Sequence, residues 1–522
     1  MTAKTDLATR LRAAMAGAVL GLTAGGAQAE PATEPADQEP PNIVFVLADD
    51  FGYGSLNSYG ADPDLVRTPH IDRLAEDGVR FTQASAVVAV CTPSRYNLLM
   101  GEHAWRTDRP VWRGQRQESG LQYGVLNVDH PLFPNPEQPS LGSLLQEHDY
   151  QTAMIGKWHL GYGEEPRTPE EWTEGMSPGP LDLGFDYHFG VPQNHGAVPA
   201  VYIEDEEIYG LRSDRVASYS RSFYGRPYWG FDAPQRVNEE VTGDLTRKAL
   251  DWLRAQDADT PFFLYFAPVA VHHPITPSPG MRGTSPAGPY GDFIQDLDQS
   301  VGRIMEMLEY MGAAEDTLFI FSSDDGGDLP GDPERPNTVA MERGLALNGP
   351  FRGQKHTIWE GGHRVPFIAR WPGRIPPGTE SHVMLNLCDV LPTVWELVTG
   401  KVPDPAVAAP DGFSFLDALL APNSAAGTAR QSMINANVNG MMAIRRGPWK
   451  YIEGAYPDIA PDRAQDEEPQ LYNIEEDPGE NEDLIEEHPG IAEQLQRELE
   501  SIREASSERE LAGTRGEALR LD

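Results

Sequence analysis

Cysteine is almost absent: Cys91 and Cys388 are the only two among 522 residues. That excludes a fold stapled by many disulfides, which short secreted domains need and a chain this long does not. A single bridge between the two is allowed by their spacing, but its geometry is not written in the sequence. Basic residues are scarce as well, 41 against 80 acidic ones, for a formal charge of −39. So negative a surface repels nucleic acid and anionic membranes, and neither is expected as a partner. It would also repel a polyanionic substrate unless the mouth of the site is locally basic. Salt screens such self-repulsion, which suits a salty exterior. Long apolar runs are missing too. The stretch at 13–22 is too short to span a bilayer, and no later segment qualifies.

What is present begins with a basic start, Lys4, Arg10 and Arg12, then that apolar stretch and the small-x-small run Ala27-Gln28-Ala29. This reads as an export signal over residues 1–29 and places the protein in the periplasm or outside the cell. The signal carries a net charge of +2, so its removal takes −39 to −41. Residues 30–41 are rich in Pro and Glu and read as a disordered leader. Apolar residues make up 39% and aromatics 9%, enough for a globular chain but in one too long for a single simple core. The 51 Gly and 46 Pro imply many loops on a rigid scaffold, where binding groups tend to sit.

Continuous apolar runs at 42–47, 152–155, 262–266, 317–321 and 365–369 predict strands buried on both faces. Ile294, Leu297, Val301, Ile304, Met305 and Leu308 follow helical spacing, and Leu245, Leu250 and Leu253 do so less fully. The alternation predicts an α/β fold, a large, mixed but mostly parallel sheet sandwiched by helices, over residues 42–400. Beyond 400 the pattern changes. A hairpin around Gly447-Pro448 and a helix carrying Ile491, Leu495, Leu499 and Ile502 predict a smaller C-terminal α+β domain over 401–510. The polar residues from Glu504 to Asp522, and 511–522 above all, read as a loose tail.

Ligand groups in such sheets gather beyond the carboxyl ends of strands. Asp49-Asp50 and Asp324-Asp325 sit at two such ends. Paired acids repel unless a cation or proton compensates, and four carboxylates suit Ca²⁺ or Mg²⁺; solvated turn acids are the alternative. Lys157 and His159 follow a third strand and, two apart, point the same way, so they could hold an anion and move a proton. His272-His273-Pro274 offers a proton donor, and Lys355 an anion-binding cation; ordinary loop residues are the alternative for both. Cys91-Thr92-Pro93-Ser94-Arg95 sits before Tyr96-Asn97-Leu98-Leu99-Met100-Gly101, which reads as a helix start; Pro93 fits an early helical position, and helix N-termini favour anions.

These segments together resemble the type I, formylglycine-dependent sulfatases of the alkaline-phosphatase-like superfamily, near the arylsulfatase and N-acetylgalactosamine-6-sulfatase branch. The likeness spans about residues 42–484. Its carriers are Cys91-x-Pro93-Ser94-Arg95, Gly156-Lys-Trp-His-Leu-Gly161, the run from Asn348 through Gly362 with Arg364-Val-Pro366, and Leu471-Tyr-Asn-Ile-Glu-Glu-Asp-Pro-Gly-Glu480. The resemblance implies that a formylglycine-generating enzyme oxidises Cys91 to an aldehyde, which is hydrated. One hydroxyl then attacks sulfur and releases the alcohol; the other expels sulfate and restores the aldehyde. It further implies Asp49, Asp50, Asp324 and Asp325, beside residue 91, as ligands of Ca²⁺, with Mg²⁺ the alternative. Arg95 and Lys157 would steady the hydrated aldehyde and the sulfate, His159 would take the proton that starts sulfate release, His272 would protonate the leaving oxygen, and Lys355 would bind sulfate. His273 competes with His272 but lies one place off the family's His-x-Pro pattern.

One departure stands out: Asp325 occupies a position where the family usually has Asn. It adds a negative charge to the metal shell, and tighter metal binding or a shared proton is expected. The expected substrate is a sulfated carbohydrate or an aryl sulfate. A phosphonate or phosphodiester hydrolase of the same superfamily and an inactive glycan-binding protein are the competing readings. Specificity is expected in loops such as 195–234, whose Tyr219, Phe223, Tyr224, Tyr228 and Trp229 are able to stack on sugars or to pack inward.

Overall fold

In Asn42–Ala48 (β1), Ile43, Phe45 and Leu47 join one apolar cluster, and Val44, Val46 and Ala48 join another. The period-two alternation of a strand sends them to opposite faces, and both faces are covered. Each large side chain so buried contributes roughly 1.5–3 kcal/mol. This strand lies near the middle of the ten-stranded main sheet. The structure, a computed structural model, describes residues 40–107, 116–117, 120–121, 125–126, 128–223, 226–257, 259–422, 430–454 and 468–514; at 116–117, 120–121, 218–223, 226–229 and 513–514 it describes the backbone alone. The expected export signal and nearly all of the leader lie outside these residues, as do 515–522.

The other strands of the main sheet are β2 (Val79–Phe81), β3 (Gln151–Lys157), β4 (Tyr187–Val191), β5 (Ile203–Glu204), β6 (Glu207–Ile208), β7 (Phe262–Ala267), β8 (Thr317–Ser323), β9 (Phe367–Arg370) and β10 (Thr379–Ser381). Their order is β10-β2-β9-β8-β1-β7-β3-β4-β5-β6. The five strands β8-β1-β7-β3-β4 are parallel, and β9 runs against them. Register aligns the carboxyl ends: Ala48 faces Ser323, and Ala267 faces Gly156. Helices Pro69–Glu76, Val241–Arg254 and Pro289–Met311 cover one face, burying Leu74, Leu245, Leu253, Leu297 and Ile304. Helices Cys91–Met100, Leu141–Glu147 and Val390–Thr399 cover the other. The sandwich expected from the sequence is therefore the fold found.

A second, antiparallel sheet takes the strands Ser432–Ala436, Met442–Arg446, Trp449–Ile452 and Gln470–Asn473 in sequence order. One face packs Ile434, Ile444 and Leu471 with Leu495, Leu499 and Ile502 of helix Pro489–Glu504, within the cluster that also lines the main sheet. Its other face packs Ala443, Ile452 and Tyr472 against Ile358. The polar stretch after Glu504 differs from the loose tail expected. Glu508–Thr514 is helical, and Glu508 is buried because Arg430 and His103 bind its carboxylate. Within the expected specificity loop, β5, β6 and a hairpin of Ser213–Phe223 with Arg226–Asp232 take shape. The side chains of Tyr219, Phe223, Tyr228 and Trp229, and all of Tyr224, lie outside the described residues. The disulfide left open by the sequence is not formed: both cysteines are free and buried. Among the described residues no helix is long and apolar enough to cross a membrane.

Candidate active site

Strand ends converge because backbone bonds lock them together. The N–H of Asp324 donates to the carbonyl of Ala48 (3.1 Å), the N–H of Asp49 to that of Ala270 (3.0 Å), and the N–H of Asp50 to Asp324 Oδ1 (3.1 Å). Asp50 has a left-handed backbone (φ 56°), which turns its carboxylate back toward the sheet end. Gly156 is required where it stands. Its φ is 135°, and a Cβ there would lie 1.9 Å from the Ala267 carbonyl oxygen. This close approach brings Lys157 to the end of β3 beside Asp49.

Cys91 is the first residue of its helix, with Pro93 in the first turn, where a missing N–H costs nothing. All ten residues of this helix are buried, so it has no polar stripe. Arg95, one turn on, lies on the same face as Cys91. Its Nε and Nη2 donate to Asp324 Oδ2 (3.0 and 2.7 Å), and Nη2 also reaches Asp49 Oδ1 (3.3 Å). Lys157 Nζ donates to both oxygens of Asp49 (2.7 and 2.8 Å). Lys355 Nζ donates to Cys91 Sγ (3.0 Å), pairs with Asp50 Oδ1 and stands 4.0 Å from Asp325 Oδ2. His272 donates from Nδ1 to the His273 carbonyl (2.5 Å), which leaves Nε2 facing Asp50 Oδ2 at 3.7 Å. His159 is buried with a left-handed backbone (φ 60°); its Nδ1 has no hydrogen-bond partner. The Thr92 hydroxyl pins its carbonyl (2.8 Å). Asp49, Asp50, Asp324, Asp325, Cys91, Arg95, Lys157, His159, His272 and Lys355 therefore share one buried site.

The electrostatics follow from this packing. Burial alone would raise Asp49, but Lys157, His272, Arg95 and Lys355 hold it well below the usual carboxylate range. Burial raises Asp50 too, and His272 and Lys355 outweigh it. Asp324 is pushed up to about 6, because burial exceeds the pull of Arg95. Asp325 is raised well above the usual range by burial, against which Lys355 is the main opposing charge. Burial, reinforced by Lys157, lowers His159. His272 is lowered as well, again by burial, although Asp50 opposes it. The Cys91 thiol is pushed well up by burial despite Lys157 and Lys355. An unmodified sulfur here stays protonated and is a weak nucleophile.

Four carboxylates thus face three cationic side chains, and burial raises Asp325, so its full negative charge is expressed only when a further cation compensates it. Both oxygens of Asp325 and Oδ2 of Asp50 are buried without a hydrogen-bond partner. Ligating atoms of Asp49, Asp50 and Cys91, and of Cys91, Asp324 and Asp325, form two groups, each drawn within 4.8 Å. An oxygen-rich, under-compensated shell fits a hard divalent cation. Residues not anticipated from the sequence hold this shell in place. The Ser323 hydroxyl accepts from the N–H of Phe51 (2.9 Å), and Asn348 bonds both the N–H and the carbonyl of Gly327 (2.8 and 3.0 Å). Asn348 heads a motif already singled out, and Ser323 belongs to the run Ser323-Asp324-Asp325-Gly326 in which Asp325 is the departure from the family; neither was given a role there.

A family model described as Sulfatase matches residues 41–400. The chain is 32% identical over 509 residues to an N-acetylgalactosamine-6-O-sulfatase of Bacteroides thetaiotaomicron, covering 90% of this chain and 94% of that one. It is 32% identical over 474 residues to human arylsulfatase A, covering 85% and 83%. A solved sulfatase structure from work on glycosaminoglycan metabolism by Bacteroides thetaiotaomicron superimposes with a TM-score of 0.79 at 30% identity, covering 90% of this chain and all of that one. The fold is that of a sulfuric ester hydrolase built on the alkaline-phosphatase-like sheet. The chain belongs to the sulfatase family.

Proposed function

We propose that this sulfatase is exported to the periplasm or beyond and removes sulfate from a sulfated carbohydrate. In this reading Cys91, converted by a formylglycine-generating enzyme, supplies the nucleophile as a hydrated aldehyde. A 6-O-sulfated N-acetylgalactosamine is the first substrate to test, because a relative matched over 94% of its length carries that name. The observation that carries the reading is the convergence of Lys355, Asp50, Asp324 and Asp325 on the sulfur of Cys91. Asp49, Asp50, Asp324 and Asp325 would hold Ca²⁺, with Mg²⁺ the alternative. Such an ion lowers the pKa of a nucleophile beside it and offsets charge on sulfuryl oxygens.

The chain's own groups divide the remaining work. Lys355, beside residue 91, binds sulfuryl oxygens, and Arg95 and Lys157 add positive charge behind it. His159 is held neutral by burial, so it is able to take the proton that starts sulfate release. His272 is also neutral at rest. An arriving sulfate ester adds negative charge near its Nε2 and favours the protonated ring, so the proton for the leaving oxygen is recruited with the substrate. Desulfation of a panel of sulfated mono- and oligosaccharides, with an aryl sulfate and an aryl phosphodiester as references, tests the reading. A preference for the phosphodiester would point to the phosphonate and phosphodiester branch. A protein modified at residue 91 yet inert on every sulfate ester would leave only glycan binding.

A further inference from the structure

Two motifs play no part in the chemistry above: the stretch after Lys355 that ends in Trp359-Glu360-Gly361-Gly362, and the C-terminal Asp477-Pro478-Gly479-Glu480. They meet in space behind the sulfate-binding lysine. Lys450, on strand Trp449–Ile452 of the small sheet, is fully buried. Its Nζ lies 2.8 Å from Glu480 Oε1 and 3.1 Å from Glu360 Oε1, and it donates to the Ile358 carbonyl at 3.0 Å. Glu480 Oε2 accepts from the backbone N–H of Glu360 (2.7 Å), and its carbonyl accepts from Arg352 Nη1 (2.7 Å). Glu480 adopts a left-handed backbone (φ 50°), which lets its side chain and its carbonyl both serve the same loop.

The loop so gripped is the one that carries Lys355. At its front, the N–H of Lys355 donates to Gly327 O (3.3 Å), and the N–H of His356 donates to Ala89 O (2.9 Å), two residues before Cys91. At its rear, Gly361 N–H donates to Arg352 O (2.7 Å), and Gly362 O accepts from Gly326 N–H (3.0 Å). Front and rear are therefore one short rigid span between the Asp324-Asp325 turn and the small sheet. A flexible four-carbon lysine stem reaches a fixed point only if its backbone is fixed.

We propose that Lys450 and Glu480 are positioning residues for Lys355, so that the small C-terminal sheet sets how tightly the sulfuryl group is held. This rests on the sulfate-binding role given to Lys355. The consequence concerns affinity more than turnover. Loosening the rear of the loop weakens the Lys355 contact in both ground and transition states, which raises KM and leaves kcat nearly unchanged.

The test uses the full, mature enzyme with an aryl sulfate as substrate and inorganic sulfate as competitive inhibitor. Glu480→Gln and Lys450→Met should raise KM and the sulfate Ki by about tenfold, with kcat within about threefold of wild type. Glu480→Asp and Lys450→Arg should recover part of the loss. Lys450→Met leaves two buried carboxylates facing each other and risks misfolding; Glu480→Gln, which keeps its shape, is then the deciding variant. Lys355→Ala serves as the reference. If it leaves the sulfate Ki unchanged, the sulfate role of Lys355 fails and the positioning proposal with it. If Lys355→Ala weakens sulfate binding while folded Glu480→Gln binds sulfate as wild type does, the positioning proposal alone is overturned.

Discussion

Lys355 Nζ lies 3.0 Å from Cys91 Sγ, yet the thiol's affinity for its proton is raised, because burial outweighs the lysine's charge. The sulfur is thus a poor resting nucleophile, and activity should track conversion of residue 91 to an aldehyde. Mass spectrometry of the active protein should find the peptide with residue 91 as aldehyde or hydrate. Cys91→Ala should lower kcat by a factor on the order of 10⁶. A fully active protein carrying only the unmodified thiol would overturn this.

On the reading proposed above, His272 delivers a proton to the departing oxygen. Its Nδ1 is committed to the His273 carbonyl, so only Nε2 is available. His272→Ala should therefore cost most with poor leaving groups, roughly 10²–10⁴-fold on a sugar sulfate, and little on a nitrophenyl sulfate. Equal losses on both substrates would remove the role. For wild type, kcat/KM on the sugar sulfate should fall as pH rises, because deprotonation of a lowered histidine empties the donor.

Asp325 carries two buried oxygens without hydrogen bonds. Asp325→Asn removes a carboxylate that, once ionised against a bound cation, gives the shell its fourth negative charge, and divalent affinity should drop at least about tenfold, a unit charge at ligand distance being worth several kcal/mol even at an effective dielectric of about 20. Competition with a calibrated chelator measures this directly, without turnover. Unchanged Ca²⁺ and Mg²⁺ affinities would show that Asp325 does not bind the ion.

Far from the site, Asp298 accepts the N–H groups of His70 and Ile71 (3.0 and 2.8 Å) and is pushed up to about 7 by burial. An acid raised on folding binds its proton more tightly when folded. Its stabilisation is complete below its ordinary value near 4 and is lost as pH rises through about 7. Wild type should lose up to about 4 kcal/mol more than Asp298→Asn between pH 4 and pH 8. Parallel denaturation curves of the two proteins across that range would refute the assignment.

Arg430 ties the C-terminal helix to the core. It is fully buried and bonds Asp389 (2.7 Å) and Glu508 (3.2 Å). Arg430→Met strands both carboxylates and should cost about 3–5 kcal/mol, read as a lower denaturant midpoint. A midpoint shift worth under about 1 kcal/mol would overturn this role for Arg430.

The strands were legible because parallel strands covered on both faces are written as unbroken apolar runs, as in β1, β7 and β8. Which residues gather at the site was legible because they sit at the ends of those runs and in short motifs. Sheet order was not. Which strand neighbours β1 depends on crossovers, and nothing local distinguishes β9, which runs antiparallel, from its neighbours. The helix of Cys91 was read as a start at Tyr96 to Gly101 with Pro93 at an early position, whereas it begins at Cys91 itself, since total burial erases the periodic stripe that marks surface helices. The grip of Lys450 on Glu360 and Glu480 was invisible, because oppositely charged residues far apart in sequence pair only once two sheets have packed.

Cys91 is fully buried at the floor of the site. The carboxylates and cations around it come from β1, β3, β8 and the Lys355 loop, so the pocket closes only when distant parts of the chain have met. On the conversion of Cys91 proposed above, an enzyme that had to grasp residue 91 and its neighbours Pro93 and Arg95 would find no purchase on the finished protein. Timing would then follow from burial: chemistry on the cysteine would have to precede completion of the sheet, and a chain that folded first would be locked in an unmodified form.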